Sequence, residues 1–510
     1  MTTNFYDLVP YGSYAYPRTH IAHLHTVGRL FGLTVPSYHA ARVLEIGCAS
    51  GGNIIPMAAQ YPRSHFVGVD ISKSQIMAGQ KMISELGLGN ITLREIGIEE
   101  LPRELSGFDY IICHGVFSWV PDHVRTAILR EIRDRLSPDG VALVSYNVLP
   151  GWGLVQTLRE MMLFHCKALP TPEEKVAQAR ALLRFIKDAQ TTANNAYSMA
   201  VEHELAVLES NPDWYIFHDH LESDNKPFFF HQFIETAGQF GLGYVGDADL
   251  TAMLLDNAPP PVVETLKGVT DPVQLEQYLD FAANRRFRST ILCHAGRTLS
   301  RTIDAKLTRA FYLQPAIDQV SIDGEKHIFG QNGTGRAFVT DEPATIAALK
   351  VMLEISAPLS FDELVGAAVQ ASGLSTAVIE IALDAILMRM AFAGLIRLSP
   401  EAPSYATRLK PTPKVLPLVR NQLDRGNTVV NGRHETLQLP PVSARILSWL
   451  DGSRSREDII KSVSCLVENG EFFLESDGKP IVEAKERYAV LAETVDSLLS
   501  YFLANALLEL

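Results

Sequence analysis

The residues of this chain best suited to chemistry fall between Glu45 and Asn147. Val43-Leu44-Glu45-Ile46 is a short apolar run carrying one carboxylate, and its Val and Ile suit a strand buried on both faces. Gly47-Cys48-Ala49-Ser50-Gly51-Gly52-Asn53 follows, small residues whose glycines let the backbone come close to a ligand. Ile54, Ile55, Met57 and Ala58 then open a helical pattern. Strand, glycine turn and helix start make the first βα crossover of a nucleotide-binding sheet. Asp70 closes the next apolar run, Phe66-Val67-Gly68-Val69, and puts a second carboxylate at a strand end. His114 follows a third such run, and Tyr146 and Asn147 end a fourth. Ligands bind outside the carboxyl ends of such strands, so these side chains are expected at one mouth. A histidine there is either a general base or a satisfied core residue.

Two ligands compete for the turn. Read strictly, its glycines give G-x-A-x-x-G, a damaged dinucleotide fingerprint that, with Asp70, permits a nicotinamide dehydrogenase. Read as E-x-G-x-x-x-G, with Glu45 at the end of the strand, the stretch resembles motif I of the class I S-adenosylmethionine (SAM)-dependent methyltransferases. The resemblance continues in order. Phe66–Ser72 is similar to the second strand with its acidic end, Phe108–His114 to the fourth, and Leu136–Val144 to the turn before the fifth. Motifs in register speak for the methyltransferase, as does Glu45. A binding module with a decayed site is the third reading, permitted by a departure at Ile98.

The resemblance implies an α/β, Rossmann-like core that binds SAM. It implies that Glu45 meets the methionine amino group and that Gly47, Cys48, Ala49 and Gly51 line the turn. Asp70 takes the ribose hydroxyls, with helix N-cap as its bland alternative, and Asn53 and Ile71 complete that side. The family usually places an acidic residue on the adenine amine after the third strand. Here Ile98 aligns and only packs on the ring, leaving Glu99 for a polar contact. His114 and Gly115 fall nearest the methyl, and Trp119 packs on adenine or shapes the acceptor pocket. Tyr146 is expected at the mouth as a catalytic candidate. Tyr11 or Ser13 comes over the site from a preceding lid. Methyl transfer is an in-line displacement governed by alignment and desolvation. His114 serves as base only if the acceptor arrives protonated, as a lysine ammonium does.

Cys113-His114-Gly115-Val116-Phe117-Ser118-Trp119, Ser145–Trp152 and Pro10-Tyr11-Gly12-Ser13 narrow the resemblance. They are similar to methyltransferases that carry a regulatory domain after the core, a group that includes bacterial lysine methyltransferases acting on outer-membrane proteins. This implies a protein lysine as acceptor, with a small molecule as rival.

The bounds agree. At 510 residues the chain exceeds one ordinary core. Apolar residues make up 47% and charged ones 20%, a globular composition. A net charge of −13 argues against general affinity for nucleic acid. Five scattered cysteines without C-x-x-C suggest reduced thiols in a cytoplasmic protein. No signal peptide pattern opens the chain and no apolar run approaches ~20 residues, so no membrane span is expected. His20, His23 and His25 lack the carboxylate or cysteine that would complete a metal site, and no metal is expected.

The elements divide the chain as follows. Residues 1–40 form an N-terminal cap or lid, and 41–152 the SAM-binding core. Residues 153–300 form a helical insertion and regulatory domain, opened by Thr171-Pro172-Glu173-Glu174 as a helix start. Phe240–Asp247 is expected to return one strand to the sheet. His218, Asp219, His220 and His231 read as acceptor-site walls rather than metal ligands, and Arg285, Arg286 and Arg288 as internal ion pairs. Residues 301–398 read as a winged-helix-like module with a protein-contact role, 399–416 as a proline-marked linker, and 417–510 as a C-terminal α+β domain. The last helix carries Leu491, Val495, Leu498 and Phe502 on one face, to be buried internally or in a homodimer.

Overall fold

The computed structural model describes residues 11–190, 195–471, 475–476, 479–480 and 484–510. The chain forms two compact units, one of residues 1–13 and 21–303, the other of 14–20 and 304–510.

The first unit is built on a seven-stranded sheet. Its strands are β1 (Arg42–Ile46), β2 (His65–Asp70), β3 (Ile91–Glu95), β4 (Phe108–Cys113), β5 (Leu136–Asn147), β6 (Leu242–Asp247) and β7 (Phe287–His294). They lie in the order β3-β2-β1-β4-β5-β7-β6. β1 to β5 are parallel, while β7 runs antiparallel to β5 and to β6. Val43, Leu44, Ile111 and Ile112 are fully buried, as the apolar runs require of strands covered on both faces. On one face the sheet packs against α1 (Ile21–Leu30), α2 (Ile54–Gln60) and α3 (Lys73–Leu86). On the other it packs against α4 (Asp122–Arg135) and α9 (Phe230–Gln239).

Between β5 and α9 the chain leaves the sheet as four helices: α5 (Trp152–Cys166), α6 (Pro172–Ala189), α7 (Ala196–Ser210) and α8 (Asp213–Leu221). They share their own core, including Leu158, Met162, Val176, Leu183, Leu205 and Ile216. Thr171 caps α6 through the backbone of Glu174, as the residue types anticipate. The chain then returns through α9, β6, α10 (Pro260–Leu266), α11 (Pro272–Ala283) and β7. The strand expected in Phe240–Asp247 is β6. The last strand comes from the arginine-bearing stretch, so the sheet does not end with residue 152. β7 hides because Arg288 interrupts its apolar pattern yet is 1% exposed. Its guanidinium bonds Asp280 at 2.7 Å, Glu276 at 2.8 Å and Asp247 at 3.3 Å. Arg285 also pairs with Asp280, at 2.6 Å. These arginines form internal ion pairs, as anticipated.

In the second unit, Tyr312–Pro315 pairs antiparallel with Ile396–Ser399, around helices Pro343–Ile355, Phe361–Ser372 and Thr376–Phe392. Strands Gln319–Asp323, Lys326–Gly330 and Ala337–Thr340 add a three-stranded sheet. Residues beyond 416 hold a hairpin, Thr428–Val430 with Thr436–Gln438, and, among the described residues, four helices running from Pro417–Leu423 to Ala484–Ala504. Leu491, Val495 and Phe502 of that last helix are buried in the unit's own core, which answers where its apolar face goes.

Candidate active site

The site begins with the turn after β1. Gly47 and Gly51 take φ of 74° and 80°, and Ala49 also sits in the left-handed region at 46°. The turn is tied down from β2: Gly47 N and Cys48 N both donate to the Val69 carbonyl, at 2.9 and 3.1 Å. Asp70 spans the loops after β1 and β2, its Oδ2 accepting from Ala49 N at 2.8 Å and its Oδ1 from Ser72 N at 2.9 Å. The N-cap of α3 is Ser72, not Asp70. The Cys48 thiol lies beneath the turn, where a Cβ on Gly68 would stand 2.7 Å from its sulfur. Cys48 therefore brings its backbone to the turn, and burial, with Glu45 and Asp70 nearby, pushes its thiol well above the ordinary range.

Glu45 is 4% exposed. Its Oε1 accepts from Asn53 Nδ2 at 2.7 Å, and its buried Oε2 has no hydrogen-bond partner among the described residues. Burial pushes the carboxyl up to about 8, against the Asn53 hydrogen bond and with Asp70 adding to the rise. Asn53 occupies the N-cap of α2 without capping it, because its amide is turned to Glu45. A buried carboxyl oxygen left unmatched beside a backbone cradle is suited to a ligand amine.

On the far side of Asp70, Ile71 is 56% exposed, an apolar side chain available to a flat ring. Ile98 is buried in the core beneath the sheet. Glu99 is exposed at the surface, 4.0 Å from His123.

A strap crosses the turn. Ser13 Oγ accepts from Gly52 N at 2.7 Å, and Gln75 Nε2 of α3 donates to the Tyr11 carbonyl at 2.9 Å. The contact is tight, since a Cβ on Gly52 would stand 2.3 Å from the Ser13 carbonyl oxygen. The Tyr11 ring meets Trp214 at 5.1 Å and His218 at 5.4 Å, both on α8. Residues 1–10 of the expected lid lie outside the described residues.

At the ends of β4 and β5, Gly115 N donates to Ser145 Oγ at 2.8 Å. The His114 ring meets the edge of Phe287 at 5.8 Å. Trp119 stands edge-on to Trp152 at 5.7 Å, with the Arg159 guanidinium 5.8 Å over its ring. Asn147 N donates to Ser118 Oγ at 2.9 Å, and its side chain donates to Asn225 Oδ1 at 3.2 Å.

Tyr146 corrects one expectation. It is 1% exposed, stacked on Phe233 at 3.9 Å, with its hydroxyl 2.9 Å from Thr290 Oγ1. Neighbouring residues of a strand point to opposite faces. Tyr146 enters the core under α9, while Asn147 turns to the opposite face, where its amide meets Asn225.

The histidines of the regulatory stretch are engaged with protein groups. His220 Nε2 lies 2.7 Å from Glu204 Oε1, and His231 Nδ1 lies 2.9 Å from Gln277 Oε1. No metal-holding group of His, Cys, Asp and Glu forms among the described residues. Sequence reasoning missed Gln75, Arg159 and Glu204. Glu204 had a signal: it stands among Val201, Leu205 and Leu208 on the apolar face of α7.

Three family models match the chain: "Methyltransferase domain" over residues 43–140, "Predicted methyltransferase regulatory domain" over 212–294, and "PKMT, C-terminal winged helix domain" over 412–507. The winged-helix match falls beyond residue 411, whereas the sequence pattern suggested that shape for residues 301–398. An uncharacterized protein, RP789 of Rickettsia prowazekii, is 36% identical, the match covering 99% of this chain and 94% of that one. The structure of PKMT2 from Rickettsia typhi in complex with AdoHcy is similar at TM-score 0.89 and 32% identity, covering 98% of this chain and all of that one. A second PKMT2 structure from the same organism aligns at TM-score 0.87. Among the described residues no helix is long and apolar enough to cross a membrane.

Proposed function

The chain belongs to the family of SAM-dependent methyltransferases that carry a regulatory domain and a PKMT winged helix, and on that premise we propose that its acceptor is the side-chain amine of a protein lysine. What supports this reading is the resemblance of the sequence motifs to lysine methyltransferases, together with the likeness to PKMT2 over nearly the whole chain rather than over the SAM-binding part alone.

The residues present fit the cofactor. The unmatched Oε2 of Glu45 suits the methionine amine, and the Asp70 carboxylate, held at the end of β2 beside the turn, suits the ribose diol. Backbone of Gly47, Ala49 and Gly51 forms the cradle between them, and exposed Ile71 offers an apolar surface to adenine. Ile98 lies below that surface, and Glu99 is left a minor polar role at the rim. Bound SAM supplies a methyl group on a positively charged sulfur.

The chain's own contribution is alignment and exclusion of water. The Tyr11–Ser13 strap holds the turn from outside. His114 and Gly115 carry the end of β4 toward the methyl, with Trp119, Trp152 and Asn147 walling the acceptor side. As the acceptor nitrogen forms its bond to the methyl carbon, the carbon–sulfur bond breaks and its electron pair stays on sulfur. The nitrogen gains the positive charge that sulfur loses. His114 is placed to take the proton that a lysine ammonium must shed beforehand.

The test is to incubate the purified protein with methyl-labelled SAM and fractions of a bacterial extract. Label in acid-stable form on protein supports the lysine reading. Label confined to small molecules overturns it.

A further inference from the structure

Helix α8 is anchored on two sides of the crevice. Trp214 and His218 meet Tyr11 of the strap, which is tied to α3 just beyond Asp70. Through Arg159, whose Nη2 donates to the Glu222 carbonyl just past the helix, α8 is joined to Trp119 in the loop after β4. The helix therefore roofs the ends of β1, β2 and β4, where the methyl group is presented.

Helical spacing says which side chains face that space. Ile216, Phe217, His220 and Leu221 are buried within the helical insertion. Trp214 and His218 form the stripe against the strap. Tyr215 and Asp219, one turn apart, form the stripe beside it, and both are half-buried. Their side chains interact with each other. Among the described residues Asp219 forms no ion pair within 4.0 Å. Arg159 from α5, Glu204 from α7, and Tyr215 and His220 from α8 are the charged and titratable groups that face it. Arg159 stays beyond ion-pair distance, and His220 is held by Glu204 at 2.7 Å.

We propose that Asp219, steadied by Tyr215 on the underside of α8, receives the ammonium group of the incoming lysine. The proposal rests on the lysine reading above and adds the residue that recognises the amine. Burial pushes the Asp219 carboxyl up to about 6, as befits a carboxylate still lacking a close counter-cation. The Tyr215 ring beside it adds an aromatic surface of the kind that cations favour. The same carboxylate offsets the charge that the nitrogen gains when it takes the methyl group.

A probe that needs no acceptor tests this. Sinefungin is a SAM analogue in which an amine-bearing carbon replaces the methyl-bearing sulfur, so it places an ammonium beside the acceptor position. Calorimetry on the full chain gives the ratio of sinefungin affinity to S-adenosylhomocysteine affinity. In Asp219→Asn that ratio should fall at least fivefold, with S-adenosylhomocysteine affinity within twofold of wild type. An unchanged ratio, or an equal loss for both ligands, would overturn the proposal. Asp219→Ser, with a thermal melt, repeats the measurement should the first variant not fold. The lysine reading fails differently: label then appears on an atom other than a lysine nitrogen, whatever the ratio does.

Discussion

Asn53 gives its side-chain amide to Glu45 at 2.7 Å instead of capping its own helix. That leaves one oxygen of a buried carboxyl matched and the other waiting. With the Glu45 carboxyl at about 8 in the free protein, a bound ammonium must ionise it. SAM affinity should therefore rise with pH between about 6 and 7.5, approaching tenfold per unit. Binding should release close to one proton, read by calorimetry in buffers of different ionisation heat. Glu45→Gln should flatten that slope. The stability effect has the opposite sense. A carboxyl raised above its ordinary 4.5 in the folded state favours folding below that value, and the benefit is lost as pH rises through about 8. Melts of the ligand-free Glu45→Gln protein should therefore gain on wild type across that range.

Asp70 should show its role in affinity. Two charge-assisted hydrogen bonds to a diol, each ~1.5–3 kcal/mol, make Asp70→Ala about a hundredfold or more weaker for S-adenosylhomocysteine. The variant also loses the ties to Ala49 N and Ser72 N. Unchanged affinity in calorimetry would remove Asp70 from the ribose.

Gly52 tests the strap. A methyl group there meets the Ser13 carbonyl oxygen at 2.3 Å, with backbone that has no side chain to swing aside. Gly52→Ala should keep the core folded yet displace residues 11–13. Proteolysis near the N-terminus should quicken and S-adenosylhomocysteine should bind more weakly, by roughly tenfold, equivalent to ~1.4 kcal/mol.

Arg288 tests the closing strand. Removing its guanidinium leaves Asp247, Glu276 and Asp280 buried without their cation. Arg288→Leu should cost about 3–5 kcal/mol in denaturant unfolding, far more than a surface ion pair. A loss below 1 kcal/mol would mean the three acids fold neutral without it.

What was legible followed from local rules. Glycine turns, strand-end acids and helix caps speak through a few neighbouring residues, so Glu45, Gly47, Asp70 and Thr171 stood out. Tyr146 and Asn147 adjoin at a strand end, where period-two alternation sends them to opposite faces, so a motif that names both cannot say that Tyr146 goes to the core. β7 is hidden because Arg288 breaks the apolar pattern of a strand, and the three acids that pair with it, from β6 and α11, are brought to it only by the fold. Arg159 and the α8 roof depend on contacts between segments far apart in sequence, which no local pattern encodes.

The most direct measurement is a crystal structure of the protein grown with S-adenosylhomocysteine. The expected result is one ligand in the crevice, its amine on Glu45, its ribose hydroxyls on Asp70 and its sulfur facing the space between His114 and α8. A crevice that stays empty, or a ligand bound with Glu45 and Asp70 both out of reach, would contradict it.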